Sequence, residues 1–321
     1  MIDRYGRTID YVRISVTDRC NFRCKYCLPA EGVQSLEHQD ILTYEETVTI
    51  VKALAGLGIR KVKITGGEPL IRKGLLHLIT SIHSVEGIED VTLTTNGYLL
   101  ENMAEDLKAA GISTVNVSID TLNPEHYTEI CRVDGLSKAL RGIDAAILAG
   151  MKVRINCTVS EESREDEILE LVRYGVEKGI TVRFIEMMPI GIGRIAGIGN
   201  DDICTLLKNV YPDMHRNGRT GNGPAVYYDL HQGKQGEVGM ISAVHHKFCD
   251  SCNRIRLTAD GCIKPCLASD EALNIKDMIR NGCGERELSA AIEQVIYNKP
   301  VSHHFDKNQV GEQRTMNRIG G

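Results

Sequence analysis

Three cysteines fall within eight residues in CNFRCKYC, at positions 20, 24 and 27, directly after the stretch YVRISVTDR. Thiolates are soft ligands that suit zinc or an iron–sulfur cluster. A structural zinc site closes with four ligands, mostly as paired Cys-x2-Cys units, and this loop supplies three. A [4Fe–4S] cluster is ordinarily held by four cysteines. Held by three, it keeps one iron open to a ligand that is not protein. Cys20, Cys24 and Cys27 therefore point to such a cluster with a small molecule at its unique iron, against the alternative of a zinc knuckle.

A second group lies in FCDSCNRIRLTADGCIKPCL, where Cys249, Cys252 and Cys266 are spaced Cys-x2-Cys-x13-Cys. Cys262 is near enough to serve as a further ligand, so spacing alone leaves zinc and iron–sulfur level. The chain has eleven cysteines, an odd number that cannot all pair. Stable disulfides are rare in a reducing cytosol. The scattered Cys131, Cys157, Cys204, Cys262 and Cys283 read as packing thiols. His245–His246 and His303–His304 read as surface histidines. GIGRIA (191–196) reads as a glycine-rich connection, and NGRTGNG (217–223) as a hairpin turn or mobile loop.

The elements that must position these groups are β-branched runs: 12–16, 61–65, 91–95, 114–119, 153–159 and 181–186. Helical patterns such as YEETVTIVKALAGL and EDEILELVRYGVEKG separate most of them. Strands alternating with helices mean βαβ units and a parallel sheet. The expected fold is α/β: a partial (βα)6 TIM-like barrel over 1–200, with a C-terminal α+β extension over 201–321 carrying the second cysteine group.

Alternate strand positions are polar: Arg13 and Ser15, Lys63 and Thr65, Thr92 and Thr94, Asn116 and Ser118, Arg154 and Asn156. The opposite parity is apolar, as in Val12, Ile14, Val62, Ile64, Val115, Val117, Val153 and Ile155. Helices cover the outside, so the polar set faces inward. In the sixth strand Arg183 stands apart from Phe184, Glu186 and Met188, and its parity is less clean. An interior holding Arg13, Lys63 and Arg154 is too polar for a packed core and reads as a cavity for a polar, anionic ligand. The loops GGEP (66–69), TNG (95–97), DTLNP (120–124) and MMP (187–189) all follow strand ends, on the face where barrel active sites sit.

The net charge of −5 argues against a general binder of nucleic acid or membrane surface. No apolar run reaches the ~18 residues of a spanning helix, and MIDRYGRTID does not read as a signal peptide. A cytoplasmic protein is expected.

CNFRCKYC after a barrel strand, with TGGEPL after the next, resembles the cluster loop of the radical S-adenosylmethionine (SAM) superfamily. From RYGRTIDYVRISVTDRCNFRCKYC through CNRIRLTADG to RTMNRIGG, essentially full length, the chain resembles the GTP 3′,8-cyclase family of molybdenum cofactor biosynthesis. The resemblance implies a lyase with two [4Fe–4S] clusters, on Cys20, Cys24 and Cys27 and on Cys249, Cys252 and Cys266, and with SAM as cofactor. It implies that a 5′-deoxyadenosyl radical takes the 3′-hydrogen of GTP and that C3′ then bonds to C8, giving (8S)-3′,8-cyclo-7,8-dihydroguanosine 5′-triphosphate.

The same resemblance puts Tyr26, Gly67, Ser118 and Met188 against SAM. It puts Arg13, Lys63, Thr94, Arg154, Arg254 and Arg256 against GTP. Arg254, Arg256 and the closing Gly320–Gly321 are implied in catalysis. Lys63 and Arg154 depart from the family pattern, each standing where the other residue type is expected, and Cys262 is an additional cysteine; Cys266 has the family's spacing. The implied partners are GTP, a flavodoxin- or ferredoxin-like electron donor and a downstream cyclic pyranopterin monophosphate synthase, with a homodimer permitted. Other readings are a peptide-modifying radical SAM enzyme with an auxiliary cluster and a non-catalytic zinc or iron–sulfur protein.

Overall fold

The computed structural model describes residues 1–321 except 196–197, 221–222, 232–235, 306–311, 313 and 321. The six runs form strands β1 (Tyr11–Ser15), β2 (Lys61–Thr65), β3 (Asp90–Thr95), β4 (Ile112–Ser118), β5 (Lys152–Val159) and β6 (Thr181–Glu186). Each pairs in parallel with the next. Val12, Ile14, Val62, Ile64, Val115, Val117 and Ile155 are buried against the outer helices. Burying apolar side chains at ~25 cal/mol per Å² is what fixes this register, because a one-residue slip would put every charge on the helix side.

The covering helices include α1 (Tyr44–Gly56), α2 (Leu75–His83), α3 (Ala104–Ala109), α4 (Pro124–Cys131), α5 (Leu136–Leu148) and α6 (Glu165–Lys178). Their starts are written locally. Thr43 and Glu46 form a capping box at α1. Asn123 of DTLNP caps α4, with Pro124 in its first turn. Before α3 the chain makes a short 3-10 turn at Leu100–Asn102.

The sheet extends beyond the six strands expected. After α7 (Asn200–Val210) come β7 (His215–Thr220), β8 (Val226–Asp229), β9 (Glu237–Ile241), β10 (Arg254–Leu257), β11 (Cys262–Lys264) and β12 (Leu273–Asn274). The order is β12-β11-β10-β1-β2-β3-β4-β5-β6-β9-β8-β7, an open twelve-stranded sheet. β10 adds in parallel to β1 and β9 in parallel to β6, so the C-terminal part covers both edges of the partial barrel. Helices α8 (Ile275–Arg280) and α9 (Glu285–Tyr297) follow, and α9 packs on α1. The chain returns through α10 (Met316–Ile319), where Asn317 donates to the Asp18 carbonyl (2.7 Å) beside the first cysteine loop.

Candidate active site

The first cysteine loop is held rigidly at its own turns. Cys27 and Leu28 N–H groups donate to the Cys24 carbonyl, and Arg23 donates to the carbonyls of Cys20 and Phe22. Phe22 anchors the loop by packing edge-on against Tyr98 and Tyr127, with centroids 5.8 and 6.4 Å apart. Lys25 reaches Glu129 and Glu162. The Tyr26 hydroxyl donates to Asp120 (2.7 Å), whose other oxygen accepts from the Thr158 N–H. Burial raises the Asp120 carboxyl to about 6.

GGEP supports this loop from the next strand. A Cβ on Gly67 would overlap the Arg19 carbonyl, and one on Gly66 would stand 2.7 Å from the Thr17 carbonyl. The glycines are needed here because two backbones touch: Gly67 N–H donates to Thr17 and Glu68 N–H to Arg19. Glu68 then ties β2 to β3, accepting from Thr95 and from the Asn96 N–H, each at 2.7 Å. Burial raises its carboxyl to about 7 against those bonds.

In the second group Cys249 opens a short 3-10 turn, Cys252 ends it and Cys266 follows β11. Cys262 is instead a residue of β11 paired with Asn274. Both triads border one cavity of about 310 Å³, and Cys262 does not. Burial pushes the Cys20 thiol up to about 12 and Cys27 higher still. Burial would raise Cys252 too, but the positive charges of Arg254 and Lys299 bring it down to about 7. Among the described residues no three His, Cys, Asp or Glu side chains converge on a point as ligands of one metal ion do. Each set offers three soft sulfur donors at the border of the cavity, which is the donor chemistry an iron–sulfur cluster takes.

Strand register gathers cations on the inward face. Arg256, Arg13 and Lys63 are direct neighbours across β10, β1 and β2. Arg13, Arg254 and Arg256 border the cavity, as do Thr94, Tyr26, Gly67, Ser118 and Met188. Lys63 and Arg154 do not border it. Arg154 stands level with Asn116 on one side and Thr181 on the other. Burial and the neighbouring Arg183, Arg13 and Arg154 hold the Lys63 ammonium well below its usual range. Burial lowers Arg13 to about 10. A set of buried cations that repel one another calls for a polyanion.

Arg183 is another cation of this face that the sequence reading left unassigned. It lies on the inward parity, donating to Asn116 (2.6 Å) and Asn156 (2.6 and 3.0 Å). Its position in TVRFIE matches that of Arg13 and Arg154 in their strands, and that parity was the available signal. His303 corrects an expectation: only its neighbour His304 is exposed. His303 borders the cavity and stacks on Phe305 at 4.2 Å. Among the scattered cysteines Cys131 and Cys157 are buried, whereas Cys204, Cys262 and Cys283 are partly exposed. Gly320 stands beside Ser15 and Thr65 on the inward parity, its carbonyl accepting from Arg256. Gly321 lies outside the described residues.

Residues 14–185 match the model of the radical SAM superfamily, and residues 180–305 that of Molybdenum Cofactor Synthesis C. A protein of Alkaliphilus oremlandii named GTP 3′,8-cyclase is 44% identical over the whole of both chains. One of Petrotoga mobilis with the same name is 43% identical, again over all of both chains. The chain belongs to the GTP 3′,8-cyclase family. Membership in this family removes the peptide-modifying and non-catalytic alternatives, and its radical SAM part carries a requirement for SAM and an iron–sulfur cluster. The fold agrees. The crystal structure of Streptococcus suis SuiB bound to S-adenosylmethionine superposes with a TM-score of 0.66 at 17% identity, covering 94% of this chain and 68% of that one. Methylornithine synthase gives 0.52 at 16% identity over 64% and 63% of the two chains. The second superposition covers about the share of the chain that the partial barrel occupies, whereas the first extends over most of the C-terminal part as well.

Proposed function

We propose that the protein converts GTP to (8S)-3′,8-cyclo-7,8-dihydroguanosine 5′-triphosphate, the first step of molybdenum cofactor biosynthesis. One observation carries the reading: two three-cysteine sets border one cavity that Arg13, Arg254 and Arg256 also line. Cys20, Cys24 and Cys27 would hold one [4Fe–4S] cluster, and Cys249, Cys252 and Cys266 the second; Cys262 is set aside because it does not reach the cavity. Bound there, cluster and SAM supply an electron and a radical hydrogen abstraction.

The chain's own residues bind, orient and exclude water. Tyr26, fixed by Asp120, forms a wall on the SAM side with Gly67, Ser118 and Met188. Arg13, Arg254 and Arg256 meet the triphosphate, with Thr94 at the rim. Lys63, Arg154 and Arg183 add positive potential. Holding the ribose against the first cluster and the base against the second would make bond formation effectively intramolecular. Arg256, which lines the cavity, also holds the Gly320 carbonyl and so ties the tail to the site.

We keep the division near residue 200, after β6, while the two family matches meet at 180–185, within that strand. An external flavodoxin- or ferredoxin-like donor supplies electrons, and cyclic pyranopterin monophosphate synthase takes the product. A homodimer is compatible with this arrangement. A cytoplasmic setting suits thiol-held clusters; among the described residues no helix is long and apolar enough to cross a membrane. Anaerobic reconstitution should give about eight irons and matching sulfide per chain. Two zincs without sulfide would contradict the cluster assignment.

A further inference from the structure

The second cysteine triad falls in three short pieces of residues 249–266, and one stretch near residue 300 joins them. Lys299 is 2% exposed and borders the cavity. Its ammonium donates to the Arg254 carbonyl at 2.9 Å, two residues beyond Cys252. It also donates to the Pro265 carbonyl at 2.6 Å, directly before Cys266. Arg7, ion-paired with Asp3, fastens the third segment: it donates to the carbonyl of Cys249 (2.9 Å) and to those of Lys299, Pro300 and Val301. All three ligand-bearing segments therefore meet at residues 299–301.

A buried ammonium is costly, and a methionine would fill the same space without that cost. Two carbonyl acceptors repay part of it, and among the described residues these take two of its three N–H donors. A neighbouring negative cluster would compensate the charge itself. We propose that Lys299, with Arg7 behind it, is the positioning residue of the second cluster and that its charge raises the cluster's reduction potential. The sign follows from electrostatics: one-electron reduction adds negative charge, and a nearby cation favours the reduced state. The inference rests on the two-cluster reading above.

The test uses the full-length chain with Cys20, Cys24 and Cys27 replaced by alanine, reconstituted so that only the second cluster forms, and titrated redox-potentiometrically by electron paramagnetic resonance. Lys299→Met should lower the ratio of reduced to oxidised cluster at fixed potential by about tenfold, a shift of ~59 mV for one electron, or lose the iron. Lys299→Arg should keep both iron and potential. If the methionine variant loses its iron, Lys299→Gln, which keeps two N–H donors without the charge, decides the matter. A potential unchanged in a variant lacking the charge overturns the proposal, and so does iron lost from all three variants. Failure of the two-cluster reading looks different: the parent with Lys299 intact would then bind no iron.

Discussion

The guanidinium of Arg256 donates to the carbonyl of Gly320, which joins β10 to the last described residue of the chain. Gly320 has φ +75°, and a Cβ there would stand 3.0 Å from both Ser15 Cβ and Thr65 Oγ1. Alanine is strained on both counts. Gly320→Ala should displace the tail and lower cyclisation at least tenfold, about 1.4 kcal/mol in the barrier, while deoxyadenosine still forms. Chromatography of both products from one reaction checks this; full coupling of the two would contradict the role given to the tail.

Cys266 and Cys262 should behave oppositely. Cys266→Ser removes a ligand at the cavity, whereas Cys262→Ser alters a β11 residue paired with Asn274. Iron per chain should fall by about four in the first variant and stay level in the second. The reverse pattern would exchange their assignments.

GTP affinity should grade with position among the inward cations. Arg13 borders the cavity and Arg154 does not. Charge-assisted contacts to phosphate are worth ~1.5–3 kcal/mol, so Arg13→Met should weaken GTP binding roughly tenfold to a hundredfold. Arg154→Met acts at longer range and should cost less than about tenfold. Calorimetry on the anaerobic protein measures both, and equal losses would place Arg154 in direct contact with the ligand.

The buried Glu68 carboxyl gives a pH signature. Its folded-state value of about 7 lies above the ordinary 4.5. Between these values the folded state binds more protons than the unfolded one, so this group's contribution is full below about pH 4.5 and is lost as pH rises through 7. Glu68→Gln removes that titration. The stability advantage of the wild type over the variant should shrink by on the order of 2–3 kcal/mol between pH 5 and 7.5, at ~1.36 kcal/mol per pH unit. Urea unfolding of the cluster-free proteins at several pH values reads the difference; a gap that stays constant would mean Glu68 is ionised throughout.

Much of this was legible in the sequence because it depends on local period. The alternation in VRISV or VRINCTV announces a strand with a wet face and a dry one, and Cys-x3-Cys-x2-Cys needs only its own loop. The edge strands were not legible: β10 joins β1 across more than 240 residues, and pairing at that range leaves no local trace. Arg183 was obscured because β6 turns Phe184 into the core and points Glu186 at the backbone of Val244 and His245. His303 was misread because its burial comes from packing against Phe305. Lys299 looks like any surface lysine until Arg254 and Pro265 are seen on either side of it.

The most direct measurement is anaerobic incubation of the reconstituted protein with SAM, dithionite and GTP, followed by mass analysis of the nucleotide and quantification of deoxyadenosine. The account expects a new nucleotide isomeric with GTP, bearing a C3′–C8 bond and accumulating in step with deoxyadenosine. Fully reconstituted protein that forms deoxyadenosine at an undiminished rate while GTP is recovered unchanged would contradict it.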